Sequence, residues 1–120
     1  MSVLPWVRLD SRLPSNPKVL ELLSRTGGHK AAFAYICGLS YCGDKGTFGD
    51  IPSAALPFLH ATKREANLLV KVGLWTATET GYKVHDWDDY QPSRQYVDRV
   101  KKQRSEAARA RWDKQKKDPT

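Results

Sequence analysis

Lys63, Arg64, Asn67 and Lys71 fall within nine residues, and each carries donors suited to a phosphate or a base edge. Helical periodicity places them on one arc, opposite Ala66, Leu68, Leu69, Val70 and Val72. The chemistry of such an arc is contact with a polyanion rather than bond-making. An amphipathic helix that merely faces water has the same pattern, so the surroundings decide. Downstream stands Lys83, and from Arg94 to Thr120 the chain holds 10 of its 20 Lys and Arg but only 4 of its 13 Asp and Glu. That segment is net +6, against +1 for the rest. Its cations are Arg94, Arg99, Lys101, Lys102, Arg104, Arg109, Arg111, Lys114, Lys116 and Lys117. A basic block on a chain of net +7 and pI about 9.6 is a footprint for nucleic acid. A solubilising or membrane-surface tail is the competing reading, and the lack of a continuous large-apolar face argues against the membrane version.

Other chemistries find little support. Cys37 and Cys42, with His29, His60 and His85, do not have zinc-ligand spacing, and two cysteines five apart on a helix point to different sides. Reduced thiols suit the cytoplasm, so no disulfide and no metal are expected. Asp86, Asp88 and Asp89 could suggest a divalent cation or acid/base work, but proximity in sequence does not supply convergent geometry. The better expectation is a loop whose Trp87 and Tyr90 fold back on the core while the acids face water. "GDKGTFGD" lacks the Gly-Lys-Ser/Thr of a phosphate-cradling loop and reads as a turn. No Ser, Cys or His stands in a nucleophile setting. The chain is therefore expected to have no catalytic residues and no cofactor, and not to be an enzyme. No apolar run approaches a bilayer span and no signal pattern opens the chain, so cytoplasmic residence without membrane association is expected.

The elements that must position the basic arc are legible in order. "LPWVRLDSRLP" alternates Trp6, Arg8 and Asp10 against Val7 and Leu9, predicting a short strand or an extended arm. Ser15 or Asn16 caps a helix from Pro17 that buries Val19, Leu20, Leu22 and Leu23 and ends at Gly27 and Gly28. "HKAAFAYICGLSYCG" is apolar nearly all round and is predicted to be the central helix, with Ala32 and Gly38 allowing close approach. A short strand at Phe48 to Ile51 follows. Next comes a helix capped by Ser53 that buries Ala55, Leu56, Phe58 and Leu59 despite Pro57. Thr62 and Glu65 form the capping box of the basic-arc helix, and Gly73 stops it. "LWTATETGYKV" then reads as a hairpin, with Leu74 and Trp75 on one strand, Tyr82 and Val84 on the other, and Gly81 in the turn. Ser93 caps a last helix, whose thin stripe of Tyr96, Val97, Val100, Ala107 and Ala108 leaves the remainder basic.

The predicted class is mainly α with a small β-hairpin. Two short helices, the second with an exposed basic arc, followed at once by a hairpin, give the order of a winged helix-turn-helix. An extra N-terminal helix and a long basic C-terminal helix complete it, with one domain over residues 1–92 and a basic tail over 93–120.

Taken together, "WVRLD", the glycine pair before a long apolar helix, "GDIP", "KREANLLVKVGLW" and "YKVHDWDDYQPS" resemble the winged-helix N-terminal domains of phage replisome organisers and DnaD-like replication initiators. They look closest to small helix-turn-helix proteins of actinobacterial phages. The resemblance spans residues 6–93. It implies origin or operator binding, and so a role in phage-type replication initiation or transcriptional control in a host cell's cytoplasm. It puts the recognition surface on Lys63, Arg64, Asn67 and Lys71, and the wing on Thr78 to Lys83, adding Thr78 and Thr80 to Lys83 as expected DNA contacts. Such proteins often carry further domains, so this chain is expected either to lack a helicase-loading module or to be part of something longer. Double-stranded DNA is the expected partner, and dimerisation on a two-fold site is compatible with it. The alternative is a protein-interaction module recruiting a replisome or host protein.

Overall fold

The longest apolar stretch becomes the centre of the molecule. The computed structural model describes the backbone of residues 2–117 and the side chains of residues 2–93 and 95–114. Asn16 caps α1 (Pro17–Leu23), its side chain accepting from the Lys18 N–H at 2.8 Å, and Pro17 occupies the first turn, where its missing N–H costs nothing. The helix α2 (Gly28–Lys45) buries Ala31, Ala34, Leu39 and Cys42 against α1, the short sheet and α3 (Lys63–Val72). Strand β1 (Asp50–Pro52) leads into a 3-10 helix, Ser53–Leu59, and then into α3. The hairpin β2 (Trp75–Ala77) and β3 (Gly81–Val84) follows, then the single turn α4 (Trp87–Tyr90) and the long α5 (Arg94–Lys117). The molecule is thus mostly helical with a small antiparallel sheet.

The sheet has three strands rather than two, in the order β1-β3-β2. Ile51 pairs with Tyr82 and Trp75 with Val84, so these apolar residues share the core face, while Asp50, Lys83 and Thr76 line up on the face turned to solvent. Gly38 lets this sheet sit close to α2: a Cβ there would stand 3.0 Å from the Trp75 ring and 3.1 Å from Ile51. Trp75 is in turn tilted on Tyr82, with ring centroids 5.4 Å apart.

Several expectations need correction. The first helix stops at Leu23, and Gly27, left-handed at φ 80°, instead begins α2. Gly28 belongs to α2, where it lies against the Leu22 carbonyl, so the glycine pair makes a tight crossing rather than a stop. Leu20 is exposed because two helical turns present one flank only to α2. Ser53 does not cap by its side chain, and its hydroxyl donates to the Thr80 carbonyl. Phe58 is 76% exposed. At three residues per turn, Leu56 stacks over Leu59 toward the core, and Phe58 stacks on the Ala55 edge, where a methyl is covered but a phenyl is not. Phe33 and Ile36 lie on the solvent side of α2, and Tyr90 is half exposed beside the buried Trp87. Of the apolar stripe on α5, Val97 is buried and Val100 partly so, while Tyr96, Ala107 and Ala108 face solvent. Cys37 and Cys42 are both free thiols, and burial pushes that of Cys42 up to about 11.

Burial also predicts the chemistry of these thiols. Only a thiolate is nucleophilic, so Cys42 should resist iodoacetamide at pH 8 in the folded protein, and the half-buried Cys37 should react first. Mass spectrometry of partly alkylated protein should find Cys42 modified only after unfolding.

Candidate nucleic-acid interface

The basic arc is built by what happens at the residue just before α3. Thr62 is extended at φ −111°, ψ 178°, and its hydroxyl accepts from the Arg64 N–H at 3.3 Å. Glu65 reaches back, accepting from the Thr62 N–H at 2.9 Å and from its hydroxyl at 3.0 Å. The same carboxylate oxygen lies 3.4 Å from the Lys30 ammonium on α2, and Glu65 is only 4% exposed. Burial alone would raise its pKa, but the two Thr62 bonds and Lys30 more than offset that and hold it below the usual carboxylate range. The far end is tied as well. Gly73 is left-handed at φ 88°, and Lys18 of α1 donates to its carbonyl at 3.2 Å.

With both ends held, Ala66, Leu69 and Val72 are buried and Lys63, Arg64, Asn67 and Lys71 are exposed. At 3.6 residues per turn these four lie within an arc of about 100°. None of their side chains takes part in an ion pair or hydrogen bond among the described residues. Lys63 and Arg64 are also the first two residues of α3, at the positive end of its dipole. Helix energetics disfavours cations there, so the placement raises local potential at the expense of stability.

The hairpin stands directly after α3, because Leu74 donates to the Leu69 carbonyl at 3.0 Å and leads into β2. Thr78 holds the turn, its hydroxyl accepting from the Gly81 N–H at 3.1 Å and its own N–H donating to the Gly81 carbonyl at 2.8 Å. Thr78, Thr80 and Lys83 are all exposed. Lys83 differs from the arc, since its neighbour across β1 is Asp50, which weakens the field it presents.

The basic tail divides in two. Near its start Val97 is buried, Lys101 lies over the Phe48 ring at 5.6 Å, and the Arg104 guanidinium donates to the Ser2 carbonyl. These contacts moor α5 to the N-terminal arm and to the turn after α2, so Lys101 and Arg104, expected at phosphates, also serve the fold. Arg99, Lys102, Arg109, Arg111 and Lys114 are exposed. The side chains of Arg94, Lys116 and Lys117 lie outside the described ones. With its last turns off the body, the molecule measures 65 × 27 × 24 Å.

Sequence reasoning missed Gln91. Its side chain is 6% exposed, accepts from the Arg8 N–H at 2.9 Å and donates to the Arg8 carbonyl at 2.7 Å. It thereby imitates a strand partner across 83 residues, and no local pattern signals such a pairing. His85 and Asp86 form a surface pair at 3.2 Å beside a hollow of about 60 Å³ also lined by Asp10, Tyr35 and Trp87, room for a few waters. Among the described residues no group of three or more His, Cys, Asp or Glu converges as a metal site, and no helix is long and apolar enough to cross a membrane.

Comparison with protein-family models, curated proteins and solved structures finds no match.

Three stability predictions follow from the N-terminal end of α3. Thr62→Ala should cost about 1 kcal/mol, seen as a lower denaturant midpoint. The Glu65 contribution is full above the unfolded carboxylate value of about 4.3 and fades as pH falls through its lowered folded value. In Glu65→Gln that acid-side loss of stability should be smaller. Conversely, Lys63→Ala with Arg64→Ala should stabilise the chain at low salt, by about 0.3–1 kcal/mol for each cation removed. A lower melting temperature would show that these side chains support the fold.

Proposed function

We propose that this chain binds double-stranded DNA as a winged helix-turn-helix protein. In that reading the 3-10 helix Ser53–Leu59 and α3 form the helix-turn-helix, with α3 in the major groove and the β2–β3 hairpin as the wing on an adjacent phosphate backbone. One observation carries it: the Lys63, Arg64, Asn67 and Lys71 arc is uncovered, held at both ends, and biased toward anions at a cost in helix stability. Asn67 and Arg64 have the donors to read base edges, while Lys63 and Lys71 suit phosphates. The exposed cations of α5 add sequence-independent grip, and Thr78, Thr80 and Lys83 contribute at the wing. A role in phage-type replication initiation or transcriptional control follows from the sequence resemblance.

A specific observation favours a second reading, a module that recruits a protein partner. Phe33, Ile36 and Phe58 are exposed together with a hollow lined by Cys37, Tyr41 and Phe58. Winged folds serve both purposes.

Selection of bound duplexes from a random pool, followed by salt-titrated shift assays, distinguishes them. Lys63→Ala/Arg64→Ala should lose at least tenfold in affinity for a selected duplex and flatten its sequence preference. Deleting residues 94–120 should weaken all duplexes alike and reduce the slope of log K against log salt, by about 0.9 for each phosphate no longer neutralised. Unchanged affinity and preference in the double variant would remove α3 as the docking face. Uniform weak retardation without selected sequences would favour the recruiting module.

A further inference from the structure

The exposed aromatics away from α3 fall into a pattern. Trp6 is 77% exposed and Tyr96 is 48% exposed, and both line one groove of about 540 Å³ together with Pro5, Arg8 and Pro92. That volume lies within the range of ligand-binding clefts. An exposed tryptophan on a frayed terminus would mean little, but this one sits on an arm that is held at several points. Val3 and Leu4 donate backbone N–H groups at 3.0 Å to the Asp44 and Gly43 carbonyls at the end of α2. Arg8 is clamped by both hydrogen bonds of Gln91. On the opposite wall, the Ser93 hydroxyl accepts from the Tyr96 N–H at 3.2 Å and Val97 anchors the same turn in the core. The backbone that carries each of the two aromatic rings is therefore held beside a solvent-facing cleft, which leaves less of the chain to be ordered on binding.

The charge around the groove selects the occupant. Arg8 lines it, Arg99 lies one helical turn beyond Tyr96, and α5 continues with exposed Lys102, Arg109 and Arg111. The neighbouring acids Asp88 and Asp89 stand on α4, before the groove, while along α5 from Asp98 to Lys114 seven cations outnumber Asp98, Glu106 and Asp113, so the balance of charge on that side is positive. Aromatic platforms that continue into a cationic track match a strand with π-faced bases on one side and phosphates on the other. We propose that the Trp6–Tyr96 groove binds single-stranded nucleic acid, with unpaired bases stacked on Trp6 and Tyr96 and phosphates on Arg8, Arg99 and the cations of α5. The site is separate from the α3 arc and needs no duplex.

Anisotropy of a labelled oligothymidylate of about 12 nucleotides tests this on the full chain. Trp6→Leu and Tyr96→Leu, which keep apolar bulk but cannot stack, should each weaken binding roughly ten- to a hundredfold, while Trp6→Phe should retain most of it. Neither should alter affinity for a duplex, and Lys63→Ala/Arg64→Ala should leave oligothymidylate binding unchanged. A strand of the same length built from abasic nucleotides should bind more weakly and be indifferent to Trp6→Leu. Equal binding of abasic and thymidylate strands by the natural chain would overturn the proposal in favour of charge alone. So would Trp6→Leu and Phe variants that behave identically, or a proline-rich peptide that occupies the groove when oligothymidylate does not.

Discussion

A single buried carboxylate governs how this chain presents its charge. Glu65 is almost fully covered, yet it is satisfied by the Thr62 N–H, the Thr62 hydroxyl and the Lys30 ammonium. A covered carboxylate that lost these partners would be left unsatisfied, which costs stability. Because its partners come from two elements, the same group starts α3 and ties that end to α2, while Ala66, Leu69 and Val72 turn the buried face inward. Rotation is what matters for contact. A shift of one residue, about 100°, would bring Val70 or Leu68 outward and carry the cations toward the core.

The basic residues that look alike in sequence are physically unlike one another. Those of α3 stand uncovered on a helix held at both ends, Lys63 and Arg64 at its N-terminus and Lys71 in its last turn. Lys83 has an acid beside it on the next strand. Lys101 and Arg104 are tied to Phe48 and Ser2, so part of their donor capacity is already taken up within the chain. Among the described residues, the distal cations Arg109, Arg111 and Lys114 of α5 are exposed. At physiological salt, where screening acts over about 8 Å, charges clustered on α3 and charges spread along α5 will differ in salt sensitivity.

The N-terminal arm ties these regions together. It is not a strand, and its alternating pattern is only partly obeyed, since Val7 is half-buried while Leu9 and Trp6 are exposed. Its bonds run to the end of α2, to Gln91 and to Arg104. The first few residues thus moor the tail, and the arm's ring and the tail's ring come to share one cleft.

Local signals proved readable where the physics is local. Asn16 with Pro17, Thr62 with Glu65, and Gly73 all act through bonds spanning a few residues, and each stands where its residue types indicate, whereas Gly81, expected in the turn, opens β3 and pairs with Pro52. The exposure of Lys63, Arg64, Asn67 and Lys71 was equally legible, because helical periodicity alone separates them from Ala66, Leu69 and Val72. What the pattern could not carry was anything set by partners far along the chain. Strand β1 joins the hairpin through pairing across some thirty residues, from Asp50 to Lys83. Phe58, Phe33 and Ile36 are apolar yet uncovered, since a helix's hydrophobic stripe does not state how wide its neighbour is. The order of residues by itself determined a helical, basic chain with a capped cationic helix. Tertiary packing alone decided which apolar residues stay in water and which cations are engaged. It also brought Trp6 to Tyr96, because those outcomes depend on long-range contacts that no short window of residues contains.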